Sequence, residues 1–502
     1  MSSLRILSAT ARTVSILLAP KGARFEQPRP LDWTLAQLNK GAVRSGATDK
    51  TVVFVEGLDP AQDYRLKTPL GDLDFTTPPC AGLVEAASFG VTAEADDNTA
   101  ALQAAVDAVP EGGTLRLAAG YHRTGPIFLK PHMTLWLPEG AVIAAHGDRA
   151  GWPILPPHDA DGRVLSTWEG VPEAMFAAPI TALSCDGLAI TGRGILDAGG
   201  DRGDWWQWPK ETRDGARRPR ALYLAHGRDV ILSGVTVRNA PSWTIHPYKC
   251  DDLKVSALRV ENPPNSPNTD GLNPESCTNV AITGVAFSVG DDCIAIKAGK
   301  RRLEDNTHLA PCRDIVISHC LMERGHGAVV LGSEMSGDIT AVTVQDCTFC
   351  QTDRGLRIKT RRGRGGTVAD VKLSNVDMVD VPTPLAVNAF YFCDPDGRDD
   401  WVQSRQAAPV SDTTPHIRDI SLCDVTATGV TLAAAAVLGL PEAPVTGITL
   451  KNCRVSYDPN AVADVPLMAC NVPATRHAGV VVEFGDVQGT FTLLSDEKAL
   501  TS

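Results

Sequence analysis

At 502 residues, with 43% hydrophobic and 21% charged residues, the chain is neither disordered nor fibrous in composition. Its 59 acidic against 47 basic residues leave a formal charge of -12, which argues against general nucleic-acid binding while leaving room for one locally basic cleft. The longest apolar run, near Leu432 to Leu440, is too short to span a bilayer, and thirteen cysteines without dense clustering read as reduced, buried thiols.

Nothing in Met1 to Gly22 resembles a continuous signal-peptide core with a cleavage site. The expected location is therefore the cytoplasm, or the periplasm where an export signal is missing from this sequence. Thr13-Val14-Ser15-Ile16-Leu17-Leu18 and Thr51-Val52-Val53-Phe54-Val55 predict short strands, with turn residues following at Gly57, Asp59 and Pro60. The stretch from Gly57 to Tyr64, with Phe75-Thr76-Thr77-Pro78-Pro79, resembles the end of a fibronectin type III domain, in which the Tyr64 hydroxyl would bond back to the chain. Residues 1–80 are thus expected to form a fibronectin type III-like β-sandwich and residues 81–502 a second domain. Asp96-Asp97-Asn98-Thr99 predicts a capped helix through Ala100 to Val109, a lid for the end of whatever follows.

From about residue 186 one phrase recurs. Val230-Ile231-Leu232-Ser233-Gly234-Val235 is repeated in kind by Val280-Ala281-Ile282-Thr283-Gly284-Val285, Ile315-Val316-Ile317-Ser318-His319-Cys320 and Ile448-Thr449-Leu450-Lys451-Asn452-Cys453. The anchors Leu232, Val255, Ile282, Ile317, Val344, Leu373, Leu422 and Leu450 are spaced by 23 to 49 residues, and each copy alternates apolar with polar. Strand, bend, strand at this spacing predicts an all-β solenoid, a right-handed parallel β-helix. Cys320, Cys347 and Cys453 occupy a position held elsewhere by valine and are expected in the inward stack.

The chemistry concentrates in four phrases. Asn268-Thr269-Asp270 and Gly290-Asp291-Asp292 place three carboxylates about one turn of the solenoid apart, where mutual repulsion would raise at least one pKa. Gly325-His326-Gly327 follows at a similar interval, then Arg357-Ile358-Lys359, whose two cations share a face of a strand. With Arg354, Arg361, Arg362 and Arg364 these make six basic residues in eleven, read as a carboxylate or phosphate receptor. His246, one repeat before Asp270, is expected to line the substrate pocket. Trp205, Trp206 and Trp208 would stack on sugars or pack their own loop. Asp291 and Asp292 can face one cleft only if the backbone bends at Gly290.

The four phrases, in this order and spacing, resemble the polygalacturonase family, glycoside hydrolase family 28, over roughly residues 85 to 460. Gly332-Ser333-Glu334-Met335-Ser336-Gly337 and Asp353-Arg354-Gly355-Leu356 are similar to its bacterial exo-acting members. The resemblance implies inverting hydrolysis of α-1,4 bonds in (oligo)galacturonides, with galacturonate released from a chain end. It implies Asp291 as general acid, Asp270 and Asp292 as the pair that orients and deprotonates water, and His326 as support for the acid. Arg357 and Lys359 would bind the substrate carboxylate, with Tyr391 beside them. No cofactor or metal is expected, and the expected partner is an acidic saccharide, with neither nucleic acid nor membrane. Endo-action, a decorated pectin such as xylogalacturonan, and a pectate-type lyase remain as alternatives. The segment from Asp201 to Arg220 and the interval holding Tyr391 and Trp401 supply enough chain to wall off one end of a groove. The oligomeric state is not legible.

Overall fold

The computed structural model describes residues 4–494 apart from 42 and 209. At its N-terminal end, Leu4–Ala9, Thr13–Leu18 and Val52–Glu56 form a three-stranded antiparallel sheet. A four-stranded sheet, in the order Val43–Lys50, Glu26–Gln37, Asp63–Thr68 and Gly71–Thr76, faces it. Val14, Ile16, Leu18, Leu35, Val53, Val55 and Leu66 fill the space between them, as the alternation of two half-buried sheets requires. Tyr64 is buried there, and the Asp59 N–H donates to its hydroxyl at 2.9 Å, which ties the corner of the sandwich back to the chain.

The first strand joined to the large sheet is Leu83–Glu85. The helix Thr99–Asp107 then covers the solenoid end with Leu102, Ala105 and Val106, and the Asp97 carboxylate accepts the Thr99 N–H at 2.8 Å. The body is a right-handed parallel β-helix. Its repeat is set by the anchors: Leu232 pairs with Val255, Val255 with Ile282, Ile282 with Ile317 and Ile317 with Val344. Val344 pairs with Leu373, Leu373 with Leu422 and Leu422 with Leu450. All of these side chains point into one core. A slip of one residue would turn every anchor out to solvent, so burial fixes the register. Cys320, Cys347 and Cys453 lie in the same stack, and every cysteine is a free thiol.

The bend in each coil has positive φ, with Gly234 at 80° and Gly284 at 66°. Asn375 and Asn452 take the same place in later coils, at 52° and 51°, and their amides donate to Asp346 and Asp424 on the preceding coils. The sandwich packs on this face, with Thr13 Oγ1 2.8 Å from Thr191 Oγ1 and Trp136 Nε1 donating to Glu56 at 3.1 Å. The opposite face carries a second stack of short strands. Ile127–Leu129, Ile180–Leu183, Leu222–Ala225 and Ile245–Tyr248 begin it, and single bridges through Leu272 continue it to Ile294–Ile296, Val329–Gly332, Arg354–Lys359 and Thr383–Asn388. The turns that enter these short strands carry the acidic and histidine phrases. No helix among the described residues is long and apolar enough to cross a membrane.

Candidate functional site

Stacking of coils brings the separated phrases to one place. The backbone carbonyl of Asp292 accepts from Gly271 N–H, that of Gly327 from Cys293 N–H, and that of Asp291 from His326 N–H, at 2.8 to 2.9 Å. Asp270, Asp292 and Gly327 are therefore lateral neighbours, and Asp291 lies beside His326. Residues 290–293 form a bend between Ala286–Ser288 and Ile294–Ile296, which frees the two adjacent aspartates from strand alternation. Gly290 is needed for close approach, because a Cβ there would stand 2.6 Å from the Pro263 carbonyl oxygen. Gly327 has a similar role. A Cβ would lie 3.1 Å from Asp292 Oδ1 and 3.4 Å from Arg357 Cδ, in the path by which Arg357 reaches Asp292.

Within this cleft Lys359 Nζ donates to Asp292 Oδ2 at 2.7 Å and Arg357 Nη1 donates to Oδ1 at 3.3 Å. The Asp292 carboxylate is thus held from both sides while 1% exposed. Tyr391 covers the two cations, its ring centroid 5.3 Å from Lys359 Nζ and 5.8 Å from Arg357 Cζ. Asp291 Oδ1 accepts from its neighbour Asp292 N–H at 2.9 Å and lies 3.2 Å from His326 Nδ1. Asp270 is buried and accepts from Asn273 Nδ2 at 2.8 Å.

Burial and the charge of Asp291 push the Asp270 carboxyl up to about 8. For Asp291, burial is outweighed by the hydrogen bond and charge of His326, with help from Lys359 and Arg357, so its carboxyl is held well below the ordinary range. The same hydrogen bond to Asp291 raises His326 to about 9, against its partial burial. In this arrangement the cluster's proton sits on Asp270, and Asp291 is ionised against a His326 imidazolium. The acid and base roles implied by the resemblance would place that proton on Asp291. The difference follows from His326, which stabilises the charged form of the carboxyl it touches.

His246 does not line the cleft. It is fully buried, Arg220 Nε donates to its Nδ1 at 3.2 Å, and Nε2 lies 2.9 Å from Glu275 Oε2. Burial, with the Arg220 charge, lowers it to about 4, so it is a neutral core histidine whose Nε2–H donates to Glu275. Its neighbour Trp243 lines the cleft instead. Trp205 and Trp208 also turn away from it. They are buried against Trp152 and Phe176, with the Arg149 guanidinium 5.4 and 5.3 Å from their centroids. Most of the basic run is not a receptor either. Arg361 pairs with Asp396, Arg362 with Glu442, and Arg364 with Asp394, at 2.6 to 2.7 Å, while Arg354 Nε donates to the Pro466 carbonyl. Each of these four already serves the protein itself, and only Arg357 and Lys359 meet the aspartates.

The remaining wall comes from residues to which the motifs assign no role. Lys297 and Glu334 line the cleft as a buried pair, Nζ to Oε2 2.7 Å. Glu169 with Lys210 at 3.2 Å, and Asp394 with Lys300 at 2.8 Å, stand at one side as two ion pairs between separate loops. About 70 Å³ of free volume is left between them and the aspartates. The signal for Lys297 was present: a cation closing the apolar run Cys293-Ile294-Ala295-Ile296 must have a buried partner.

The family described as Glycosyl hydrolases family 28 matches residues 166–474. A probable polygalacturonase of Vitis vinifera is 33% identical over 368 residues, 71% of each chain. An endo-polygalacturonase of Pectobacterium parmentieri is 27% identical over 73% of this chain and 87% of its own. In fold the chain is similar to the family 28 exopolygalacturonase of Yersinia enterocolitica, with a TM-score of 0.69 at 19% identity over 90% and 92% of the two chains. These names fall on both sides of the exo and endo division, so a mode of attack has to be argued from the cleft.

Proposed function

Because the chain belongs to glycosyl hydrolases family 28, we propose that it hydrolyses α-1,4-galacturonosidic bonds of pectin-derived galacturonides, with inversion and from a chain end. The observation that carries this reading is the convergence of Asp270, Asp291 and Asp292 with His326, Arg357 and Lys359 in one cleft. Hydrolysis of a uronide needs a proton for the leaving oxygen, a base for water, and cations for the sugar carboxylate; this set contains all three.

The proton delivered to the leaving oxygen is shared by His326 and Asp291 across their 3.2 Å contact. Passing it to Asp291 turns the ion pair into a neutral imidazole and a carboxylic acid, which then protonates the departing oxygen. Water held between Asp270, which already carries a proton, and Asp292 gives its hydroxyl to the anomeric carbon and its proton to the Asp292 carboxylate, which releases it to solvent. Solvent returns the proton to His326. Arg357 and Lys359, already at the cleft, attract the uronate carboxylate, and Tyr391 packs over both. Chain-end action is supported by the two ion pairs, Glu169 with Lys210 and Asp394 with Lys300, which stand across one side of a small cleft. A time course on trigalacturonate, with product sizes and anomeric configuration followed together, should give galacturonate stepwise with the inverted anomer. A ladder of internal fragments, the retained anomer, or no cleavage would each overturn the corresponding part.

The proton on Asp270 favours a second assignment, in which Asp270 is the acid. A good leaving group separates the two, because it needs no protonation. Asp291→Asn should lose turnover on trigalacturonate yet recover much of it on an aryl galacturonide, whereas Asp270→Asn should recover nothing. The opposite pattern would exchange their roles.

A further inference from the structure

Lys297 and Glu334 stand on successive coils, with side chains 5% and 8% exposed. The Lys297 ammonium donates to Glu334 Oε2 at 2.7 Å and to the Gly332 carbonyl at 3.2 Å, and lies 5.0 Å from the centroid of Trp243. Glu334 Oε1 accepts from Ser333 Oγ at 3.2 Å. An ion pair this deep adds little to stability over well-packed apolar residues, since removing both charges from water offsets their attraction. Its place in the cleft is more telling. Lys297, Ser333 and Glu334 share the wall with Asp270 and Trp243, next to Lys359, whose backbone pairs with Gly332 on the adjacent coil.

An ammonium has three donors, of which the two bonds above take two, and a carboxylate has about four acceptor sites. Together the pair offers an adjacent donor and acceptor, fixed in position by burial. Neighbouring hydroxyls on a sugar ring match such a pair: one accepts from the ammonium while the next donates to the carboxylate. Trp243 beside them supplies an apolar surface for a sugar face.

We propose that Lys297 and Glu334 are specificity residues that read two neighbouring free hydroxyls of the uronate seated beside Asp270, and so reject units acetylated there. An ester cannot donate to Glu334, and it would leave that buried carboxylate facing an unmatched group. This inference rests on the galacturonide reading of the cleft.

Calorimetric titration with galacturonate and with its 2-O- and 3-O-acetyl forms tests it directly. Wild-type protein should bind galacturonate and bind at least one acetyl form about tenfold to a hundredfold more weakly. Glu334→Gln, which keeps the shape, and Lys297→Met should each weaken galacturonate binding by a similar factor and erase the discrimination against the acetyl form. Equal binding of all three sugars by the wild type, absence of galacturonate binding, or an unaltered Glu334→Gln would overturn the proposal. The comparison within the wild type needs no variant and so does not depend on how well Lys297→Met folds. Trigalacturonate hydrolysis, followed in parallel, separates this from the broader reading. Binding as expected without hydrolysis sinks the enzymatic proposal alone, and hydrolysis with an indifferent Glu334→Gln sinks the hydroxyl-reading role alone.

Discussion

His246 and His326 each face a carboxylate across one hydrogen bond, Glu275 at 2.9 Å and Asp291 at 3.2 Å. They nevertheless carry different charges. His246 is sealed in the core, where burial and the Arg220 charge lower it to about 4. The His326 side chain is 54% exposed at the lip of the cleft, where the hydrogen bond to Asp291 prevails and raises it to about 9. A histidine–carboxylate contact thus does not define its own chemistry. Solvent access and the third charged neighbour decide whether the pair stores a proton or holds a loop.

The sharpest test of this contrast is to remove each ring in turn. His326→Ala should lower kcat on trigalacturonate by about 10²- to 10⁴-fold, the usual range for losing a proton-transfer partner, while leaving the thermal midpoint almost unchanged above about pH 9, where the charged pair with Asp291 no longer contributes. A stable protein with wild-type kcat would show that His326 is not part of the proton path. His246→Ala should do the reverse. It strands Glu275 and Arg220 in the core, so the expected loss is about 1–3 kcal/mol in chemical denaturation, with kcat per folded molecule preserved. The smallest effect is the response of stability to pH. His326 has a folded-state pKa above its unfolded value, so its contribution is complete below about pH 6.5 and is lost as pH rises through about 9. The thermal midpoint of the wild type should fall across that window, and less steeply in His326→Gln. Equal slopes would remove the raised histidine from the account.

Much of the fold was legible because the solenoid repeats one decision many times. The anchors from Leu232 to Leu450 are in register coil after coil, since alternation within each strand and the common core leave one pairing that buries them all. The meeting of Asp270, Asp291, Asp292, His326, Arg357 and Lys359 was legible for the same reason: lateral neighbours on a parallel stack are separated by one repeat. What the motifs could not reveal was depth. His246 occupies a comparable place in its coil, but the ribbon around Thr167 lies over it, with Thr167 Oγ1 donating to Glu275 and its carbonyl accepting from Arg220. That cover comes from a segment some eighty residues earlier, outside any repeat. Lys297 and Glu334 were hidden differently: Lys297 is a single charge closing an apolar run, Glu334 a single charge among the glycines and serines of residues 332–337, and each has its partner on the adjacent coil. The basic run misled because density of charge in the sequence says nothing about which carboxylates fold back to meet it.

The arginines that turned out not to face the aspartates have a consequence for how a sugar enters. Arg361 fastens Asp396 and Arg364 fastens Asp394, five and three residues beyond Tyr391, and Arg362 grips Glu442 with two parallel bonds at 2.6 and 2.8 Å. The segment that forms the roof over Lys359 is therefore bolted to the rigid coil before any ligand arrives. Recognition then resembles a peg entering a finished socket, with the loss of freedom falling on the saccharide and hardly at all on the protein.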